Sequence, residues 1–200
     1  MNLPLILGSS SAPRKELLTR LRIPFQVAIP DVDETPYPEE LPLALVRRLS
    51  ELKARKIAEQ FPHALIIAGD QVGVCEGEIM CKPGNYENAV KQLRKLSSNQ
   101  VTFHAGICLL NAAENRLQID VIDTHLQFRS LTPAMIDYYL QDEKPYHCAG
   151  TLMVEQLGIA LIEKSQSDDP TAIMGLPLIR LTSMLINEGI NPVEGGQSSS

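Results

Sequence analysis

The run ALIIAGDQVGVC, beginning at Ala64, sets a carboxylate, Asp70, inside the most strand-like stretch of the sequence. Apolar residues on both phases of its alternation predict a strand buried on both faces, and therefore a layered fold with elements packed above and below it. A carboxylate is tolerated in such a place only if it is paired, protonated or liganded. Asp70 is thus the first candidate for a functional residue.

Around that strand the chain alternates between strand-like and helix-like segments. LPLILG predicts a strand that leads through a Ser-rich turn into a helix carrying Leu17, Leu18 and Leu21 at helical spacing. FQVAIPDVDETP reads as a strand ending in an acidic, Pro-broken loop. Leu45, Leu49, Leu52, Ile57 and Ala58 then mark a long amphipathic helix from Leu41 to about Gln60. After Asp70, a hairpin through Glu76, Gly77 and Glu78 leads to CKPG and a helix over Tyr86 to Leu96. Paired strands over Val101 to Leu110 and Leu117 to Phe128 follow, and then a helix capped by Thr132 that runs from Pro133 to about Gln141. A strand near Leu157 to Glu163 and a last helix over about Ala172 to Asn187 complete the pattern. Residues 1–192 read as one domain, and the Gly- and Ser-rich stretch 193–200 as a disordered tail.

A chain of 200 residues that is 44% hydrophobic can bury a core without disulfides or structural metal. Its net charge of -6 speaks against a nucleic acid polymer as partner, because phosphate neutralisation needs a clustered basic excess. A small anionic substrate is still allowed, since a few cations converging in one pocket suffice. Cys75, Cys81, Cys108 and Cys148 show no paired spacing and are expected reduced. No run approaches the about 20 apolar residues of a membrane span, and no signal-peptide pattern opens the chain, so a cytoplasmic protein without a membrane partner is expected.

Three groups of residues can carry chemistry. The turn Ser9, Ser10, Ser11, Ala12, Pro13, Arg14 lies between a strand and a helix, where backbone N–H groups and the helix dipole favour an anion, although one serine there could simply cap the helix. Asp31, Asp33 and Glu34 offer the oxygen ligands of a hard cation, or merely a solvated acidic turn. Asp70 stands apart for its apolar setting, while Lys53 and Lys82 are unremarkable by themselves. Together they form the inventory of phosphoryl chemistry, in which positioning and charge neutralisation supply most of the catalysis. Neither GxxxxGK[ST] nor GxGxxG is present.

In their order along the chain, LILGSSSAPRKELL, PDVDET, LSELKA, IIAGDQV, CKP, HCAG and IMGLPL resemble the Maf family of nucleotide pyrophosphatases, from about Leu5 to Pro192. The details are most similar to the YceF subgroup, whose members are 7-methyl-GTP pyrophosphatases. The resemblance implies an inosine-triphosphatase-like α/β fold, a long mixed sheet with flanking helices forming two lobes around a deep nucleotide cleft. It implies Asp70 as proton acceptor and a divalent metal, magnesium or manganese, served by Glu34 and Asp70. Ser9, Ser11, Arg14, Lys53 and Lys82 would face phosphates, and Pro13, Gln71 and Glu155 would tune base choice. Relatives acting on dTTP and UTP carry Thr and Gln where Gln71 and Glu155 stand here, and a carboxylate suits the donors of a guanine edge. A paralogue acting on dTTP, UTP or another modified nucleotide, and a regulator that binds nucleotide without cutting it, are the competing readings. A homodimer is compatible with all of them.

Overall fold

The computed structural model describes residues 3–194, so all but the first two residues of the expected tail lie outside the described residues. Local chemistry sets most of the elements. Strand β1 (Leu5–Gly8) turns into helix α1 (Ala12–Thr19), capped by the Ser11 hydroxyl, which accepts from the Arg14 N–H at 3.4 Å. The short strand β2 (Gln26–Ala28) and an extended acidic loop lead to α2 (Pro42–Ala58). Strands β3 (Leu65–Cys75) and β4 (Glu78–Met80) close the expected hairpin around Glu76 and Gly77, both at positive φ. Helix α3 (Tyr86–Leu96) is capped by Asn85. The long strands β5 (Gln100–Asn111) and β6 (Arg116–Phe128) follow, then α4 (Pro133–Glu143), capped by Thr132. Strand β7 (Ile162–Ser167) and helix α5 (Leu178–Asn187) complete the order.

The seven strands form one mixed sheet in the order β2-β1-β3-β5-β6-β7, with β4 on the far end of β3. β1 runs parallel to β2 and β3, and the remaining pairs are antiparallel. Near β1, the core on one face packs Leu5, Leu7, Ile67 and Leu109 against α1 and α5, and the core on the other packs Ile6, Ile66 and Cys108 against α2. At the far ends of β3, β5 and β6 a separate cluster packs Phe103, Leu126 and Phe128 against α3 and α4.

Three expectations need correction. Residues 157–161 are not strand but a 3-10 turn, and the strand begins only at Ile162. The reason is local: the Leu157 N–H donates to the Glu143 carboxylate, and Gly158 sits so close to residue 153 that a Cβ would come within 2.4 Å of the Met153 carbonyl oxygen. β7 itself reads EKSQS after its first residue, mostly exposed, and owes its form to its ladder with β6. The last helix is likewise shorter than expected, because Gly175 at φ 88 and Pro177 separate a 3-10 turn at Ala172–Met174 from α5. Leu52 is exposed, since α2 turns the stripe Leu45, Leu49, Lys53 and Ile57 inward and leaves position 52 beside it.

Gly106 decides how near α2 lies to the sheet, and Gly69, on the other phase of β3, how closely β3 meets β5. A Cβ on Gly106 would stand 2.5 Å from both Ser50 Oγ and Val46 Cγ1, and one on Gly69 would stand 2.4 Å from the Gly106 carbonyl oxygen. Because position 106 is bare, α2 rests directly on the β3–β5 pair, where Asp70 lies opposite Gly106. Gly106→Ala is therefore expected to lift α2 and lower stability by about 1 to 3 kcal/mol, the usual cost of overpacking. Thermal denaturation of the variant beside wild type measures it, and an unchanged melting curve would mean that α2 has slack the packing does not show.

Candidate active site

The site residues that the family resemblance implies come together in one cleft of about 440 Å³: Ser9, Ser11, Pro13, Arg14, Glu34, Lys53, Asp70, Gln71, Lys82 and Glu155 all line it. The volume falls in the range of small-molecule sites. Asp31 and Asp33 do not line it; Asp33 instead accepts the Thr35 N–H at 2.9 Å and shapes the loop that presents Glu34. That loop is anchored by Arg48, which donates to the two carboxylate oxygens of Glu40 at 2.7 Å each and to the Thr35 carbonyl at 3.1 Å, and stacks on Tyr37.

At the centre is a buried lysine shared by two carboxylates. Lys53 donates from Nζ to Asp70 Oδ1 at 2.6 Å and to Glu34 Oε1 at 2.8 Å. The pairing demanded by an embedded Asp70 is thus met by a side chain that in sequence looked like solvated surface. Ser50, one turn before Lys53 on α2, accepts the Asp70 N–H at 3.0 Å and donates to the Val46 carbonyl at 2.7 Å. Sequence reasoning passed over Ser50; its only signal is a small polar residue on the buried stripe of an amphipathic helix.

Arg14 enters from the Ser-rich turn and donates from Nη1 to the Gly69 carbonyl at 2.7 Å, beside Asp70. Burial lowers its pKa from the ordinary value, while the charges of Asp70 and Glu34 work in the opposite direction. Within the turn, Ser11 N–H donates to Ser9 Oγ at 3.1 Å, so Ser11 both caps α1 and ties the loop. Gln71 spends both protons of its amide on backbone, donating to the carbonyls of Ala172 and Ile173 at 3.2 and 2.9 Å. Its carboxamide oxygen is the part left for a ligand. Phe103, Leu152, Val154, Ile173 and Met174 give this side an apolar lining that the sequence reading did not assign. Cys148 lines the cleft as well, but burial and then Glu155 push its thiol pKa up, which disfavours a nucleophilic thiolate.

The charges of the cleft balance, with Arg14, Lys53 and Lys82 set against Glu34, Asp70 and Glu155. A polyphosphate entering here needs further positive charge. Glu34 and Asp70 each give one oxygen to Lys53, and their second oxygens have no hydrogen-bond partner among the described residues. No cluster of three His, Cys, Asp or Glu side chains suited to a metal occurs among the described residues. Two carboxylates completed by water and phosphate oxygens are the donor set that magnesium commonly accepts, so the residues present fit a divalent cation carried with a nucleotide.

A fold of this kind around such a cleft is the architecture of an anion-handling α/β enzyme, and the comparisons agree. The family described as Maf-like protein matches residues 4–188, and the chain belongs to that family. A Cupriavidus metallidurans protein named 7-methyl-GTP pyrophosphatase is 52% identical over 185 residues, covering 92% of this chain and 93% of its own. Relatives with the same name from Nitrosococcus oceani and Bordetella pertussis are each 49% identical, covering 94% and 96% of this chain.

The electrostatics of Glu34 yield a test. Burial pushes its carboxyl up, but Lys53, Lys82 and Arg14 together draw it below the ordinary value of 4.5. A carboxyl depressed in the folded state stabilises the fold fully above its unfolded pKa, and that contribution is lost as pH falls through the lower folded value. The stability difference between wild type and Glu34→Gln should accordingly be constant at neutral pH and shrink below about pH 4.5. Thermal melts across pH 3 to 7 measure it, on the order of that window; a gap independent of pH would mean that the carboxylate is not coupled to the cations.

Proposed function

We propose that this chain is a nucleoside triphosphate pyrophosphatase that hydrolyses 7-methyl-GTP to 7-methyl-GMP and diphosphate. The observation that carries the chemistry is the buried Lys53 shared by Asp70 and Glu34 at the foot of a Ser- and Arg-lined turn. The substrate class rests on the name of relatives about half identical over nearly the whole chain. The split of the core between the two ends of the long strands supports a two-lobed architecture with the nucleotide lying between.

In the proposed reaction a water oxygen bonds to the α-phosphorus as the bond from that phosphorus to the α–β bridging oxygen breaks, leaving diphosphate. Asp70 takes the proton of the attacking water, and Lys53 fixes the orientation of its carboxylate. Arg14 and Lys82, with the donors of Ser9 and Ser11, hold the phosphates and stabilise the charge that builds on their oxygens. Glu34 and Asp70 would hold a magnesium or manganese ion, whose chemistry is neutralisation of phosphate charge. Glu155 would accept from the guanine N1–H and exocyclic amine, and its charge favours the cationic methylated base. Pro13 and Gln71 would complete the base site. No helix among the described residues is long and apolar enough to cross a membrane, which accords with a cytoplasmic enzyme.

Asp70→Asn should abolish diphosphate release while the fold survives, because the amide cannot accept the proton; general-base losses run on the order of a hundredfold or more. A variant keeping more than about a tenth of the wild-type rate would remove Asp70 from the centre of the mechanism. Base choice has a separate measurement. Glu155→Gln should lower the ratio of kcat/KM for 7-methyl-GTP over dTTP and UTP, as an amide that must present a donor to the guanine edge pairs poorly with it. A ratio within about twofold of wild type, under roughly 0.4 kcal/mol, would move base recognition elsewhere in the cleft.

A further inference from the structure

The segment that closes the cleft opposite Arg14 holds only a single 3-10 turn, yet it is fixed by a dense set of partly buried hydrogen bonds. Asp169 is buried, and its carboxylate accepts at both oxygens. Oδ1 accepts the Thr171 N–H at 3.0 Å and lies 2.7 Å from the Thr171 hydroxyl, while Oδ2 accepts the Ile179 and Arg180 N–H groups at 2.7 and 3.3 Å. The first turn of α5 is thereby capped from outside the helix, a service that Pro177 at the N-cap position has no side-chain acceptor to provide. The Thr171 hydroxyl accepts the Leu178 N–H at 2.8 Å and also lies 2.9 Å from the Leu176 carbonyl. One carboxylate and one hydroxyl therefore pin both ends of residues 171–178.

What lies between those ends is cleft wall. Ile173, Met174 and Gly175 line the cleft, and the carbonyls of Ala172 and Ile173 receive the Gln71 amide. Gly175 abuts the other wall, for a Cβ there would come within 3.0 Å of Arg14 Nε and 3.5 Å of Gln71 Oε1. The chain of contacts runs unbroken from Asp169 through Thr171 and the 172–175 turn to Gln71 and Arg14.

We propose that Asp169 and Thr171 are positioning residues that set the width of the nucleotide cleft: they hold the 172–175 turn where Gln71 and Arg14 meet it, and so govern nucleotide binding without touching substrate. This role rests on the function proposed above. Loosening the turn should weaken ground-state binding more than it slows the chemical step, because Asp70, Lys53 and Ser50 belong to β3 and α2 and stay in place.

The test uses Thr171→Val, which keeps the shape and removes the hydroxyl, and Thr171→Ser, which restores it. Expected for Thr171→Val is a KM for 7-methyl-GTP raised by about tenfold with kcat within about twofold, as for a lost uniform-binding contact. Thr171→Ser should return KM to near the wild-type value. Hydrogen exchange of the amides of 171–178 should rise in Thr171→Val and not in Thr171→Ser. Combined with Gln71→Ala, the effect of Thr171→Val on KM should be less than additive, since both variants release the same turn. An unchanged KM or unchanged exchange in Thr171→Val overturns the proposal, as does an equal loss in Thr171→Ser or a fall in kcat at constant KM. Wild-type protein that fails to cleave 7-methyl-GTP would instead overturn the proposed function, and this role with it.

Discussion

A lysine buried between two carboxylates governs how this molecule is put together. Removing an ammonium group from water costs several kcal/mol, recovered only if its partners are close and well aligned. Lys53 meets that condition at 2.6 and 2.8 Å, because α2 rests on the sheet with no side chain intervening at Gly106. The same closeness lets Ser50 bond the Asp70 backbone. Helix docking, glycine placement and the pairing of the two carboxylates with Lys53 are thus one constraint seen at three levels.

From that centre the electrostatics extend outward. Three cations and three carboxylates in one cleft offset one another, so the cleft is not a strong anion trap. The overall charge of -6 is compatible with this, since the three cleft cations act at short range and the Ser-rich turn adds neutral donors. The apolar wall of Phe103, Leu152 and Val154 gives the opposite end a surface suited to a flat ring.

Most elements were legible from residue order because local signals agreed with one another. Ser11, Asn85 and Thr132 cap the helices they precede, and the apolar run around Asp70 is the buried strand it resembles. The errors fell where local pattern and packing disagree. Residues 157–161 are apolar enough for a strand, yet a backbone contact at Gly158 and a bond from Glu143 fold them into a turn. Polar residues 163–167 lack any strand pattern and are strand because β6 offers them a ladder.

The candidate site divides the same way. Its members and the Maf resemblance could be gathered from motifs spread along the chain, since each motif keeps its own turn or strand chemistry. Pairing could not be gathered so. Nothing in residue type distinguishes Lys53 from Lys56, which is half-buried and bonds Glu59 at 2.6 Å, until α2 is laid across β3 and one of the two faces Asp70. The acidic loop offered three carboxylates, and its anchoring by Arg48 turned only Glu34 to the cleft. Which charges meet is a matter of distances between segments far apart in the chain, and Coulomb and hydrogen-bond energies fall away as those distances grow.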